Sequence, residues 1–287
     1  MSIEKTYVQP KTYPVLRWVV TLLVYLLLAA VFVVCIFPLV WLVLTSFKEQ
    51  FSVFIGPLWP EKFILDNYRR IWVSLDLARH FYNTLLVTTL TVLGVTLFSA
   101  MAGYAFSKLE FPGRELIFLV FIASLTIPAQ VTLIPLFILL RDMSLLNTHA
   151  GLIASYIGMG LAFSIFLLRA FFHTLPSELI DAGRIDGASE LRIFSHIMLP
   201  LAKPGLATVV IFQSVGTWNE FMYAATFLHE MKLRTLQPAL HTLIGRYSTD
   251  WGALCAGMVI ALLPIIITFL ILQRQFIQGL TAGAIKG

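Results

Sequence analysis

Six long apolar stretches, almost free of charged residues, are the feature of this sequence that most restricts its fold. A helix needs about 20 apolar residues to cross roughly 30 Å of hydrocarbon at about 1.5 Å per residue. The stretches that reach this length are residues 18–47, 81–107, 116–140, 143–168, 204–228 and 251–273. Glu220, in the fifth stretch, is the only charged residue within any of them. The sequence therefore predicts an all-α integral membrane protein with six transmembrane helices.

The overall composition fits a chain whose solvent is the lipid bilayer. Of the 287 residues, 59% are hydrophobic and 12% are charged, whereas soluble domains carry about 25% charged residues. The net charge is +5, but the lysines and arginines are scattered singly between apolar runs, which argues against a basic groove for nucleic acid. Cys35 and Cys255 both lie in uncharged apolar stretches, and we interpret them as small hydrophobic residues.

Prolines inside the spans predict kinks, because neighbouring helices and local adjustment can satisfy the backbone groups that proline frees. The prolines concerned are Pro38, Pro128, Pro135 and Pro264. Small residues also recur four apart within the spans, which would let helices approach closely. The pairs are Ser99 with Gly103, Ala154 with Gly158, and Gly160 with Ser164.

The distribution of lysine and arginine does not fix the orientation in the membrane. With six spans, both termini lie on the same side. That side would carry eleven of the 20 basic residues and the opposite side the other nine. Basic residues favour cytoplasmic segments, but so small a difference does not identify the cytoplasmic side.

The connection between the fourth and fifth spans, residues 169–203, is the least apolar long segment and must lie outside the hydrocarbon. Its pattern predicts two short helices, the first starting near Ser177 and the second following a break at Gly187. On the first helix a three- and four-residue spacing relates Leu179, Ala182, Ile185 and Asp186, which predicts a short apolar ridge beside acidic and basic edges. This ridge would contact either a partner protein or the membrane surface, and the pattern alone leaves both open.

Sequence motifs in this connection resemble a known family. The run Asp181-Ala182-Gly183, then Gly187 after three residues, then Ile197-Met198-Leu199-Pro200 after nine more, is similar to the EAA signature. That signature belongs to permease subunits of binding-protein-dependent ABC importers. Asp181 replaces the usual glutamate and Gly183 the usual second alanine.

The resemblance implies the type I ABC importer permease (MetI-like) fold. It also implies that residues 169–203 form a coupling loop, whose helix sits in a cleft of a cytoplasmic ATPase. The residues to which it assigns ATPase coupling are Glu178, Asp181, Ala182, Gly183, Ile185, Asp186, Gly187, Ile197, Leu199 and Pro200. In that family the loop is cytoplasmic, which gives the orientation that the charges do not.

Three further segments, residues 102–108, 218–221 and 279–287, are similar to the sugar-importing branch of the family, in particular to its maltose-type second permease subunit. The last segment has three glycines in nine residues, which disfavours a helix that packs by itself. In maltose-type relatives such a tail inserts between two ATPase subunits, and a disordered tail is the alternative. The corresponding residues here are Gly279, Thr281, Gly283 and Lys286.

The residues around Glu220 are candidates for a solute pathway. An ionised carboxylate at membrane depth is costly, so it should face a cavity or a partner. Trp218 and Phe221 offer flat apolar faces and Asn219 offers both a donor and an acceptor, which together suit a sugar. The alternative is that Glu220 forms a polar clamp between helices.

The sequence contains no G-x-x-x-x-G-K-S/T motif, so we expect no P-loop and no cofactor in this chain. The resemblance implies that ATP and magnesium are bound by a partner ATPase present in two copies, and that the chain is not itself an enzyme. The histidines are single and do not have metal-ligand spacing, so no metal is expected. Further expected partners are a homologous permease, an extracytoplasmic solute-binding protein, a sugar-like solute and membrane lipid.

These expectations define a multi-pass protein of a bacterial or archaeal cytoplasmic membrane with both termini in the cytoplasm. It would have an N-terminal segment at 1–17, a permease domain at 18–275 and a tail at 276–287. One alternative is a secondary transporter, which requires charged or polar residues at mid-membrane, and only Glu220 qualifies. The other is an intramembrane enzyme, for which the spans offer neither paired acids nor an activated nucleophile.

Overall fold

A computed structural model describes the backbone of residues 14–50, 52–245 and 248–284. Within these ranges the regular structure is helical, apart from one isolated bridge between Ile244 and Thr249. The helices are α1 (Pro14–Ser46), α2 (Ser52–Ile55), α3 (Asp66–Ser74), α4 (Leu77–Lys108), α5 (Arg114–Ser124), α6 (Ala129–Asp142), α7 (His149–Thr174), α8 (Glu178–Ile185), α9 (Glu190–Ile193), α10 (Leu199–Leu201), α11 (Lys203–Trp218), α12 (Met222–Phe227), α13 (Leu236–His241) and α14 (Trp251–Ala284). A π-helical turn, Phe194–Met198, joins α9 to α10, and a 3₁₀ turn, Met231–Leu233, precedes α13.

Four of the described helices, α1, α4, α7 and α14, are long and apolar enough to cross a membrane. Two bent pairs raise the number to six if each pair counts as one crossing. One pair is α5 with α6, bent by 101°, and the other joins Glu190–Leu201 to α11 with a bend of 76°. The predicted all-α membrane fold is confirmed.

The third span is broken rather than kinked. Helix α5 ends at Ser124 and α6 begins at Ala129, directly after Pro128. Proline lacks a backbone N–H and disfavours helical geometry at the residue before it. Pro135 lies inside α6 without ending it, as Pro38 and Pro264 lie inside α1 and α14.

The fourth and fifth spans have different limits from those the sequence suggests. Helix α7 begins at His149, six residues later than expected, because the Thr148 hydroxyl accepts the Gly151 N–H at 3.1 Å and caps the helix there. Helix α11 ends at Trp218, ten residues early, and α12 begins only at Met222. Glu220 therefore lies in a helix break and not inside a continuous span.

Helices α4 and α7 pack closely along their length. A Cβ atom on Gly103 of α4 would lie 2.9 Å from the Cβ of Leu168 on α7, so only glycine permits this approach. Helix α11 joins the pair through Gln213, whose Nε2 donates to Gly160 O at 3.2 Å and to Ser164 Oγ at 3.0 Å. The small residues at these two positions serve helix contacts, as their spacing predicts.

Helix α1 stands apart from this core. Every residue from 17 to 40 is exposed, and burial begins only near Leu44. The helix contacts α14, but most of its apolar surface faces outward from the chain. Such a surface suits lipid or a neighbouring subunit.

The glycine-containing segment after the sixth span is helical, contrary to the expectation from its composition. The backbone of α14 continues to Ala284 and includes positions 279, 281 and 283. Extending an existing helix does not carry the cost of nucleating a new one, which accounts for the difference. Lys286 lies outside the described residues.

Candidate functional site

The loop at residues 169–203 contains two short helices separated by a glycine turn. Helix α8 ends at Ile185, and Gly187 follows with φ of +75°. The Ala188 N–H donates to Gly183 O at 2.9 Å and the Gly187 N–H to Arg184 O at 3.0 Å. These two bonds form a Schellman motif, which requires a left-handed residue at Gly187. The Ser189 hydroxyl then accepts the Arg192 N–H at 3.4 Å and caps α9.

Helix α8 has one buried face and one exposed face. Ile180 and Gly183 are buried against the following segment, and a Cβ on Gly183 would lie 3.0 Å from Ile193 Cγ1. The opposite face is exposed and apolar. It consists of Leu179, Ala182 and Ile185, and we call these three residues the α8 ridge. Ile185 is 86% exposed.

Charged residues surround the ridge. Glu178, Asp181 and Asp186 are all exposed on α8 or directly after it. Arg184 Nε donates to Glu190 Oε1 at 2.7 Å, and Arg184 Nη1 lies 3.7 Å from Asp181 Oδ1. The hydrogen bond to Glu190 raises the pKa of Arg184 above its ordinary value. The ridge is thus an apolar strip with acidic edges.

The C-terminal part of the signature is turned partly inward. Ile197 and Leu199 are half-buried and pack on a core formed by α4, α7 and the loop. Pro200 is exposed and lacks the backbone N–H that a regular helix would use at this position. The π-helical turn lies directly before α10, which contains Pro200. These residues anchor the loop to the spans, and the exposed coupling candidates lie on α8.

Polar contacts attach this loop to the end of α4. Lys108 Nζ donates to Leu175 O at 2.6 Å and to Ser177 Oγ at 3.1 Å, just before α8 begins. The Tyr104 hydroxyl donates to Glu190 Oε2 at 3.4 Å. No sequence pattern singled out Glu190 as a functional residue. The signal for Tyr104 and Lys108 was their place in the segment 102–108.

The four predicted pathway residues do not form one pocket. Trp218 is 3% exposed, its Nε1 donates to Ala261 O at 2.9 Å, and its ring packs edge-on against Phe81. It is a core residue. Asn219 and Phe221 are exposed, and the Phe221 ring lies 4.9 Å from that of His241.

Glu220 has the geometry of a polar clamp. One carboxylate oxygen accepts the Tyr223 N–H at 2.8 Å, and the other accepts the Ala224 N–H at 3.0 Å and the Tyr156 hydroxyl. The carboxylate therefore stabilises the start of α12, where the helix dipole favours an anion, and ties it to α7. This arrangement corresponds to the alternative interpretation of Glu220, a polar clamp between helices.

A cavity of about 560 Å³ lies between the bent pair α5–α6 and α7. Its wall is mainly apolar and includes a few hydroxyls. Residues that line it include Ser124, Thr132, Pro135, Ala154, Ser155 and Gly158. A Cβ on Gly158 would meet no atom within 4 Å, so this small residue faces open space and not another helix of the chain. The spacing of Ala154 and Gly158 was the only signal for this region in the amino-acid sequence.

Comparisons with known proteins agree with this architecture. The chain has 36% identity over 282 residues to the arabinooligosaccharides transport system permease protein AraQ of Halalkalibacterium halodurans, covering 96% of this chain and 99% of the relative. It has 33% identity to the diacetylchitobiose uptake system permease protein NgcG of Streptomyces coelicolor, covering 88% and 85% respectively.

A solved structure of a bacterial ABC transporter involved in the import of the acidic polysaccharide alginate contains a chain with the same fold. The TM-score is 0.82 at 24% identity, covering 93% of this chain and all of the other. Residues 95–282 match the family described as "Binding-protein-dependent transport system inner membrane component". The chain, a multi-pass membrane permease, therefore belongs to the family of inner membrane components of binding-protein-dependent transport systems.

Proposed function

We propose that the chain is one of two homologous permease subunits of an importer that takes up a carbohydrate. Two copies of a separate ATPase would drive transport through α8. The observation that carries this proposal is the exposed α8 ridge, an apolar strip on a short helix that lies outside the apolar spans.

The charges beside the ridge favour a protein partner over the membrane surface. Helices that lie in a membrane interface are typically rich in lysine and arginine on their polar face. Helix α8 and its turn carry acidic residues at Glu178, Asp181 and Asp186 and one basic residue, Arg184. Anionic lipid headgroups would repel this edge, whereas a cleft in a partner protein can match both the ridge and the carboxylates.

The proposal fixes the orientation of the chain. With α8 on the ATPase side, residues 169–203 and both termini lie in the cytoplasm. The loops after α1, after α6 and around α13 then lie outside. The C-terminal positions Gly279, Thr281, Gly283 and Lys286 remain a predicted contact with the ATPases.

The relatives' names support a carbohydrate as the solute. They specify arabinooligosaccharides, diacetylchitobiose and, for a permease of Thermococcus litoralis with 32% identity, trehalose and maltose. A binding protein outside the membrane would deliver the solute. Asn219 and Phe221 are exposed and stay candidate pathway residues, and the cavity beside α7 offers a further surface with hydroxyl groups.

Purification of the tagged chain from its own cells tests the assembly. We expect stoichiometric recovery of an ATPase and of a second permease in mild detergent. The reconstituted complex should then hydrolyse ATP faster when a sugar-loaded binding protein is added, and a panel of sugars would identify the solute. Recovery of the chain alone would contradict the proposal.

A further inference from the structure

We propose that α4 is the mechanical link that joins the coupling loop to the segment 231–241 at the opposite membrane face. This inference rests on the proposed function, because it concerns how a movement of α8 reaches the outer side. It assigns positioning roles to polar side chains at both ends of one helix.

At its cytoplasmic end, α4 holds the coupling loop on both sides of α8. Lys108 contacts the chain just before α8, through Leu175 O and Ser177 Oγ. Tyr104 contacts Glu190 after α8, and Glu190 in turn accepts the hydrogen bond from Arg184 within it. We call Lys108, Tyr104 and Glu190 the inner clamp. Because the contacts bracket α8, the helix cannot shift without breaking them or moving α4.

The Tyr104 ring gives the clamp a rigid base. Tyr104 is buried, with its ring centroid 5.8 Å from that of Phe172 on α7 and 5.2 Å from that of Phe194 in the π-helical turn. Aromatic rings at such distances restrict one another. The hydroxyl of Tyr104 is thus presented to Glu190 from a fixed position.

At its other end, α4 holds the segment that leads into α13. His80 Nδ1 hydrogen bonds to Arg234 O at 2.8 Å, and Asn83 Nδ2 donates to Lys232 O at 2.9 Å. The Thr84 hydroxyl accepts the Leu236 N–H at 2.7 Å. All three side chains are buried, and we call them the outer latch. Buried hydrogen bonds of this kind are costly to break, so the segment follows α4.

The helix between the clamp and the latch can transmit a displacement. Helix α4 runs for 32 residues without a proline or a break, which corresponds to roughly 48 Å at 1.5 Å per residue. The third span is bent, the fifth is broken between Trp218 and Met222, and α1 and α14 each contain a proline. Helix α7 packs along α4 and reaches the same outer turn, where His149 Nε2 lies 2.8 Å from Leu233 O.

Contiguous contacts do not by themselves establish coupling, so the test must measure it. The variants Tyr104→Phe and Lys108→Met remove single polar groups of the inner clamp. Tyr82→Phe and Lys62→Met make the same changes at exposed side chains outside the clamp and outside the coupling loop, and they serve as matched controls. Lys108→Arg keeps a cationic donor and should restore function.

In proteoliposomes that hold the full complex, solute uptake per ATP hydrolysed should fall about fivefold in each clamp variant, as loss of a hydrogen bond worth about 1 kcal/mol implies. Amide hydrogen exchange gives a second readout. ATP binding should change the protection of residues 231–236 in the unaltered protein and in both controls, and this change should be lost in Lys108→Met.

Uptake per ATP and an ATP-dependent exchange change that match the unaltered protein in both clamp variants would overturn the inference. Recovery of the ATPase with each variant checks that the complex is assembled. If the unaltered chain recovers no ATPase, the proposed function itself fails. If it does recover the ATPase and Ile185 variants lose it, while the clamp variants behave normally, only the α4 link fails.

Discussion

The Ala188 N–H donates to the carbonyl oxygen of Gly183 across a left-handed Gly187, and this bond fixes the angle at which the chain leaves α8. A Cβ on Gly187 would meet no atom within 4 Å. The requirement for glycine is therefore one of backbone conformation and not of space.

Replacement of Gly187 by valine should abolish transport and leave membrane insertion intact. A β-branched residue at φ near +75° is strained by about 1–2 kcal/mol, and the turn relaxes to another conformation that misplaces the α8 ridge. Uptake and the amount of chain in the membrane are the measurements. Gly187→Asn is the control, because asparagine tolerates the left-handed region and should keep most of the activity. Normal uptake in Gly187→Val would remove this role of the turn.

Reversal of charge at Asp181 should also abolish transport. Asp181 is exposed, so Asp181→Lys should change the free energy of unfolding by no more than about 0.5 kcal/mol. Its effect should fall on the contact with the ATPase, where a lysine replaces a carboxylate. Uptake measures the effect on transport, and thermal unfolding in detergent measures the effect on stability. Asp142→Lys reverses an exposed acid outside the loop and should leave uptake unchanged. Equal loss in both variants would contradict a specific role for Asp181.

Ile185→Ser should weaken binding of the ATPase without weakening the fold. An isoleucine side chain that becomes fully buried contributes about 1.5–3 kcal/mol, so the dissociation constant should rise on the order of tenfold to a hundredfold. Leu191→Ser is the matched control, because Leu191 is also exposed in the same loop but lies outside the ridge. The amount of ATPase recovered with each variant, measured as the complex is diluted in detergent, gives the difference in affinity between the two variants. Retention of the ATPase by Ile185→Ser would show that the ridge is not the binding face.

Changes at Glu220 should affect stability before they affect solute recognition. Glu220→Ala leaves two backbone N–H groups and the Tyr156 hydroxyl without this acceptor, at a cost of about 1–3 kcal/mol for each group that stays buried. Glu220→Gln keeps one carbonyl oxygen and should lose less. Thermal unfolding in detergent measures the stability of the unaltered chain, Glu220→Gln and Glu220→Ala, which should fall in that order. The solute concentration for half-maximal uptake should stay the same in Glu220→Gln. A large shift of that concentration at unchanged stability would instead assign Glu220 to the solute pathway.

The spans were predictable from the sequence because each is long, apolar and almost without charge, and periodicity was not needed. The loop was predictable for a different reason, since Gly187 and Ser189 are local signals of a turn and a cap. The limits of the fifth span were not predictable. Because apolar residues precede and follow Glu220, the sequence shows one continuous apolar stretch there. The helix break depends on the contacts of the Glu220 carboxylate with α12 and α7.

Contacts between distant segments were equally hidden from sequence reasoning. The flat apolar ring of Trp218 is typical of residues that stack on sugars. Its position against Phe81 and Ala261 follows only from the packing of α4, α11 and α14. Glu190 gives no local signal, because its partners are Arg184 and the distant Tyr104. Glu190 is nevertheless the acidic residue of the loop that contacts a transmembrane helix, through Tyr104 of α4.

The contrast between α1 and α4 implies an order of events during synthesis. Residues 17–40 of α1 are exposed throughout, so this helix can rest in lipid alone as soon as it is made. Helix α4 carries buried His80, Asn83 and Thr84, whose partners lie 149 to 154 residues later in the chain. Until those partners emerge, its polar end must stay near water or an insertion chaperone. The polar end of the second span therefore cannot make its final contacts until residues 232–236 have been synthesised, although the span itself is among the first to leave the ribosome.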